Sequence, residues 1–228
     1  NISGISPKKA YNIDDLFTNN PLFSSNDSPH VIVFAIQEII ELSLASVLTI
    51  VSNQENVTIW KEKIISTVNR IYQSQNIKYS EIKQLDLVGV FFIILSRNDF
   101  WSRISLLDCN ITKTGLVGMV CNKGFVTVTL GIYDKIICFG AGHLEAGQEK
   151  NDLRIKTLKE ILFKNVNINL YQTCFKSVDY WIILGDMNFR INKSYDECIR
   201  LIQNKNYEEL YNFDQFNCAQ KDNNYLSL

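Results

Sequence analysis

The sequence predicts an α/β protein in which helices flank β-sheets. Apolar runs of strand length alternate along the chain with amphipathic runs of helical period. The longest apolar runs, LVGVFFIIL and HVIVFAI, are too short to span a bilayer and fit strands buried on both faces. Apolar strand runs also end in polar residues, at Gln37-Glu38, at His143 and at Asp186 to Asn188.

The elements follow in order. HVIVFAIQE reads as a strand ending at Gln37-Glu38. In ENVTIWKEKIISTVNRIYQ, Trp60, Ile64, Val68 and Ile71 recur at helical spacing, which predicts an amphipathic helix. LDLVGVFFIILSR is expected as the next strand, and NDFWSRISLLDCNI carries a further strand edge. GFVTVTLGIY alternates with the strand period, and KIICFGAGHLEAG follows as its neighbour across a turn at YDK. NDLRIKTLKEILFKN predicts a helix, apolar at 155, 158, 161 and 162, with Asp152 as its cap. VDYWIILGDMN is the last clear strand, and SYDECIRLIQNKNYEELYNFDQF is helical with a break near Asn204 to Asn206. Neither a repeat nor a linker divides the 228 residues, so one domain is expected over 1–228.

Composition removes several classes. Hydrophobic residues make up 46% and charged residues 21%, ordinary for a globular protein with a sizeable core. The formal net charge of -1 supplies no global basic field toward nucleic acid or an anionic bilayer. The six cysteines form no C-x-x-C pair and the two histidines stand far apart, which argues against structural zinc. Cysteines scattered through apolar runs, such as Cys138, suit reduced thiols in a cytosolic protein. No signal peptide opens the chain.

Each polar strand end has a plain reading and a chemical one. Glu38 either leaves the core or supplies one carboxylate to Mg²⁺, which prefers oxygen and keeps several waters. His143, set among small residues in CFGAGHLEAG, is either a structural histidine or one that bonds a phosphoryl oxygen or shuttles a proton. Gly185-Asp186-Met187-Asn188 is either an Asx-type turn or a corner where Asp186 orients a water and Asn188 donates to a charged oxygen. TGLVGMVCNKG lacks Walker spacing; it is a hairpin-like loop or one that offers backbone N–H groups, Asn122 and Lys123 to phosphate. His30, at a strand start, reads as structural or surface.

The order of these segments resembles the catalytic domain of the inositol polyphosphate 5-phosphatases, within the endonuclease/exonuclease/phosphatase superfamily. NISGISP, FAIQE, TGLVGMVCNKG, GHLEAGQE and GDMNFRI stand in the family's sequence, and YEELYNFDQFNCAQK resembles its E-L-L-x-x-D-Q-L segment. G-D-x-N-[YF]-R together with x-N-K-G is the specific pairing. The resemblance implies a four-layer α/β sandwich of two mixed β-sheets flanked by helices, incomplete in this chain. It implies Mg²⁺-dependent hydrolysis of the 5-phosphate of phosphoinositides or inositol polyphosphates, at the headgroup surface of membranes, by a cytoplasmic, peripheral, monomeric domain that does not bind nucleic acid. By the same resemblance Asn1 and Glu38 fall on the metal site. His143 falls on the histidine bonding the scissile phosphate, Asp186 on the water-orienting acid and Asn188 on the phosphate-contacting amide. Asn122 and Lys123 fall on a loop reaching the substrate's other phosphates, and Arg190 on the motif arginine, with its role open between structural support and site electrostatics.

The departures are specific. Cys121 replaces the first glycine of G-N-K-G, and Arg154 is followed by Ile155 where the family has Arg-Asn. Neither the P-T-Y-K nor the final S-D-H motif follows Leu228, and the strand that carries the metal-site asparagine in the family does not precede Asn1. A partial domain, inactive or nearly so by itself, is therefore the expectation. The alternatives are another superfamily phosphodiesterase, a sphingomyelinase or nuclease, or a non-catalytic remnant that binds headgroups or a partner.

Overall fold

The computed structural model describes residues 1–5, 28–39, 50–87, 89–114, 123–165, 168–170, 174–176 and 178–221. The chain divides into two compact units, Asn1–His143 with Asn167–Asp186, and Leu144–Val166 with Met187–Leu228.

The first unit holds the sheets. Strands β1 (Val31–Gln37), β2 (Tyr79–Leu87) and β3 (Val90–Arg97) form a three-stranded sheet in the order β1-β3-β2, antiparallel throughout. Strands β4 (Ile104–Thr114), β5 (Lys123–Ile132), β6 (Lys135–His143) and β9 (Tyr180–Asp186) form a mixed sheet in the order β4-β5-β6-β9, with β6 and β9 parallel. The short strands β7 (Ile168–Leu170) and β8 (Cys174–Lys176) pair with each other.

The central strand β3 explains the uninterrupted apolar run. Its side chains alternate between faces, and each face meets a different core. Phe91, Ile93 and Leu95 join Ile32 under helix α1 (Ile50–Ile71), which presents Val57, Trp60, Ile64 and Val68 as its apolar stripe. Val90, Phe92 and Ile94 join Val126, Val128 and Leu130 of β5 and Phe139 and Ala141 of β6. The unit is therefore layered as helix, sheet, sheet, and each such buried side chain contributes about 1.5–3 kcal/mol by its removal from water.

The expected LDLVGVFFIILSR strand is two strands. β2 ends at Leu87 and β3 begins at Val90, with Gly89 at φ +77° in the turn between them. β2 hid in the sequence because its middle, SEIKQLD, is half-exposed and lacks an apolar run. The YDK turn is placed correctly, its two loop residues being Tyr133 and Asp134 while Lys135 opens β6.

In the second unit, helix α2 (Asn151–Asn165) buries Ile155, Leu158, Ile161 and Leu162 as expected. Asp152 lies inside its first turn rather than at the cap, where its charge still complements the helix dipole. Helix α3 (Tyr195–Gln203) starts with a reciprocal capping box: Ser194 accepts from the Glu197 N–H, and Glu197 Oε2 accepts from the Ser194 N–H at 3.1 Å. The expected break falls between α3 and α4 (Tyr207–Asn212), and α5 (Gln215–Lys221) follows. Among the described residues no helix is long and apolar enough to cross a membrane.

Candidate active site

The ends of three strands, the start of a fourth and the N-terminal residues meet in the first unit. Parallel pairing of β6 and β9 runs from Ile137 opposite Tyr180 to His143 opposite Asp186, so these two residues end neighbouring strands at one edge. Antiparallel β5 begins at the same edge, with Gly124 opposite His143 and Lys123 just before it. From the other sheet, β1 ends at Gln37, and Glu38 follows at φ +57°. The segment Asn1–Ile5 docks on this strand end, the Ile2 N–H donating to the Gln37 carbonyl at 2.9 Å and the Gly4 N–H to that of Glu38 at 2.8 Å.

Glycine makes the convergence possible. Gly185 sits at φ +108°, and a Cβ there would lie 2.3 Å from the Gly142 carbonyl oxygen and 2.9 Å from Gln37 Nε2. Only a residue without a side chain lets β9 approach β6 and the end of β1 together.

The side chains form one cluster. Asn1 Nδ2 donates to Glu38 Oε1 at 3.0 Å and to Asp186 Oδ2 at 3.2 Å. His143 Nε2 lies 3.7 Å from Glu38 Oε1 and 3.8 Å from Asp186 Oδ2, and the Lys123 ammonium donates to it at 2.5 Å. Accepting from an ammonium requires an unprotonated Nε2, which leaves the proton on Nδ1. Burial, and after it the Lys123 charge, holds the imidazole below the usual histidine range; Asp186 and Glu38 pull it up and do not prevail. The histidine next to two carboxylates is thus neutral near pH 7, and the contacts with Glu38 and Asp186 are not full ion pairs.

Asn188 and Arg190 belong to the second unit. Asn188 adopts φ +56°, donates from Nδ2 to the Leu144 carbonyl at 2.9 Å and accepts from Arg190 Nη2 at 2.7 Å on Oδ1. The arginine thereby fixes which end of the amide is oxygen. Glu38 and Asn188 are non-glycine residues in the left-handed region, a conformation concentrated at functional turns.

Of the residues singled out in the sequence, Asn1, Glu38, Lys123, His143 and Asp186 are brought together, and Asn188 and Arg190 bond each other. Asn122 lies outside the described residues. His30 is exposed, its ring 4.5 Å from that of Phe100. The sequence reading misses Gln37, Arg154 and Gln215. Gln37 is 2% exposed, and its Nε2 is a buried donor without a partner among the described residues. Its signal was its place beside Glu38. Arg154 stands four residues before Leu158 on the buried stripe of α2, and an arginine at that spacing was the signal. Gln215 left none beyond the D-Q-L likeness.

Two packed sheets with carboxylates, an imidazole and a lysine gathered at their strand ends define the endonuclease/exonuclease/phosphatase class. Residues 1–227 match the family model described as endonuclease/exonuclease/phosphatase family 2, and the chain belongs to that family. Its curated relatives include type I inositol polyphosphate 5-phosphatase 1 of Arabidopsis thaliana, 33% identical over 145 residues, covering 60% of this chain and 25% of the relative. The phosphatidylinositol 4,5-bisphosphate 5-phosphatase INP51 of Saccharomyces cerevisiae is 27% identical over 217 residues, 95% of this chain and 22% of the relative. The chain spans a quarter or less of the length of both. The crystal structure of the inositol polyphosphate 5-phosphatase domain of SPsynaptojanin, in complex with inositol (1,4)-bisphosphate and calcium ion, matches with a TM-score of 0.72 at 23% identity, over 90% of this chain and 57% of that one. That likeness shows the fold, and the expected α/β frame of two sheets with helices is met.

Proposed function

We propose that this chain carries the active-site cluster of a Mg²⁺-dependent phosphatase that removes the 5-phosphate from phosphoinositides or inositol polyphosphates by in-line attack of water. The observation that carries it is the convergence of Asn1, Glu38, Lys123, His143 and Asp186 on one sheet edge. The curated relatives, named as inositol polyphosphate and phosphatidylinositol 4,5-bisphosphate 5-phosphatases, supply the substrate class.

The donor set suits the metal. Glu38 and Asp186 offer carboxylate oxygens side by side, as a hard cation requires. Asn1 turns its Nδ2 to both and its Oδ1 accepts from the Ser3 N–H at 3.1 Å, so Asn1 would serve the metal site by orienting the carboxylates rather than as an oxygen ligand. Among the described residues no three His, Cys, Asp or Glu side chains form a closed metal cluster, and Mg²⁺ needs none, since it keeps waters and takes one or two carboxylates. When bound, the ion supplies Lewis-acid neutralisation of phosphate charge.

The residues do the rest. Asp186 accepts a hydrogen bond from the attacking water, fixes its direction and takes its proton as the oxygen–phosphorus bond forms; the ester bond to the ring breaks, and the ring oxygen leaves with the bonding pair and takes a proton from solvent water to become the alcohol. Lys123 donates from its ammonium to the incoming anion, and His143, released from that ammonium and protonated on Nε2 as the phosphate charge raises the imidazole, donates from Nε2 to a phosphoryl oxygen. Asn188, its amide oriented by Arg190, donates to an equatorial oxygen. Asn122 and Lys123 reach the other ring phosphates. The protein works in the cytoplasm, peripheral to membranes and monomeric, on headgroups presented at the lipid surface.

The test is phosphate release from 5-phosphorylated and 4-phosphorylated inositol lipids and soluble inositol phosphates, with Mg²⁺ and again with a chelator, beside nicking of duplex DNA. Release confined to the 5-position and abolished by the chelator supports the reading. Nicking without release replaces it with a nuclease, and binding of the phosphates without release replaces it with a non-catalytic headgroup binder.

A further inference from the structure

Arg154 is fully buried, and among the described residues no carboxylate is hydrogen-bonded to it. Its Nη1 donates to the carbonyls of Glu145 at 2.8 Å and Gly147 at 2.7 Å, and its Nη2 to Gln215 Oε1 at 2.6 Å. The guanidinium carbon also lies 5.4 Å from the centre of the Phe189 ring. Burying a cation without an anionic partner costs several kcal/mol in a protein interior, so the groups it ties together ought to matter beyond filling space.

Gln215 is 2% exposed and has every amide position used. Its Oε1 accepts from Arg154 and from the Arg190 N–H at 3.1 Å, and its Nε2 donates to the Gln148 carbonyl at 3.0 Å and to Asn192 Oδ1 at 2.9 Å. Its own backbone N–H donates to the Arg190 carbonyl at 2.9 Å. Arg190 is therefore held at both its backbone N–H and its C=O by one residue. Arg190 in turn holds Asn188 Oδ1, and the other end of the Asn188 amide is bonded to Leu144, in the loop that Arg154 grips at Glu145 and Gly147. The two loops so tied are the ones that directly follow His143 and Asp186 in the chain.

We propose that Arg154 and Gln215 are positioning residues: as a pair they lock the turn Asn188–Arg190 against the loop Leu144–Gly147 and so fix the direction in which Asn188 presents its amide. This deepens the proposed phosphatase reading and rests on it for its kinetic consequence. It acts through Asn188; neither residue touches the reacting atoms.

Gln215→Leu and Gln215→Glu separate positioning from packing. Leucine fills the space and removes the acceptor for the Arg190 N–H; glutamate keeps that acceptor and loses the Nε2 donors. Positioning predicts that Gln215→Leu lowers kcat about 10- to 100-fold, the usual cost of losing an outer partner of a site group, with KM little changed, and that Gln215→Glu recovers most of that loss. A packing role predicts the reverse order, with leucine turning over like the parent once folded fractions are matched by urea denaturation, and that result overturns the proposal. Hydrogen exchange gives a second readout that needs no activity. The Arg190 amide is expected to exchange slowly in the native 228-residue protein and to lose that protection in Gln215→Leu; fast exchange in the native protein overturns the proposal. A parent protein that releases no phosphate removes the phosphatase reading alone and leaves the exchange result to decide this one.

Discussion

His143 and Asp186 are register partners at the last step of the parallel ladder between β6 and β9. Parallel strands end at the same edge, so two polar strand ends more than forty residues apart in sequence become neighbours without a loop to carry either. The Asn1 amide then joins Asp186 to Glu38, which follows β1 in the other sheet. Two carboxylates and one ammonium then stand around a neutral imidazole, and the proposed roles divide by charge: the carboxylates for water and metal, the lysine and histidine for phosphate.

That division makes Asp186→Asn the sharpest test. Asparagine keeps the shape and the contact distance to Asn1 and removes the proton acceptor. Phosphate release is expected to fall on the order of 10²- to 10⁴-fold, the range for a lost general base, while the urea midpoint stays near the parent value. Equal loss of both activity and midpoint would make Asp186 a structural residue.

Much of this site was legible in the sequence because each strand carries its polar residue at its end. Glu38, His143 and Asp186 close apolar runs, and a run that long has one place to stop being buried. What the sequence withheld is relational. Nothing local says that Lys123 opens β5 at the edge where β6 closes, since antiparallel register decides it. β2 was invisible as a separate strand because an edge strand with one half-exposed face has no apolar run, and Gly89 reads as part of a longer one. Arg154 shows only by its spacing from Leu158 that it lies on the buried stripe, and the sequence does not show the three carbonyl and amide acceptors that make its burial tolerable.

Gly185→Ala should be costly. The added Cβ would meet the Gly142 carbonyl oxygen at 2.3 Å, a backbone atom that cannot rotate away, at a φ of +108° that alanine rarely adopts. A loss of about 3 kcal/mol is expected from strain of this kind, read as a lower urea midpoint at unchanged m-value. Phosphate release should fall further than the folded fraction, because relief of the clash moves Asp186, the next residue. A midpoint within error of the parent would show that the strands do not meet as described.

Thiol chemistry checks the burial of β6. Cys138 is buried on the face of β6 opposite Phe139 and Ala141, beside Thr129 of β5, and burial pushes its thiol up to about 11, while Cys109 and Cys218 are exposed. At pH 8 the Cys138 thiolate is scarce and shielded. Iodoacetamide on the native protein followed by peptide mapping should find Cys109 and Cys218 alkylated and Cys138 free, with Cys138 reacting only after denaturation. Native labelling of Cys138 at the rate of Cys109 would contradict the packing of β6.

The neutral state of His143 sets an acid limit on stability. In the unfolded chain a histidine takes up its proton near pH 6.5; in the fold, burial first and Lys123 second push that point lower. Between the two values the unfolded state binds more protons than the folded state, so stability from this group rises with pH there. It is fully present above the unfolded value and is lost as pH falls through the depressed folded one. Urea midpoints taken from pH 8 to pH 5 should therefore decline on the acid side of 6.5, and His143→Gln, which has no proton to take up, should flatten that part of the curve. Binding of a phosphate anion beside Lys123 adds negative charge and raises the imidazole, so inorganic phosphate should shift the decline toward higher stability at pH 6. A His143→Gln curve that falls in parallel with the parent over this range would assign the acid loss to other groups and show that folding does not shift the His143 titration.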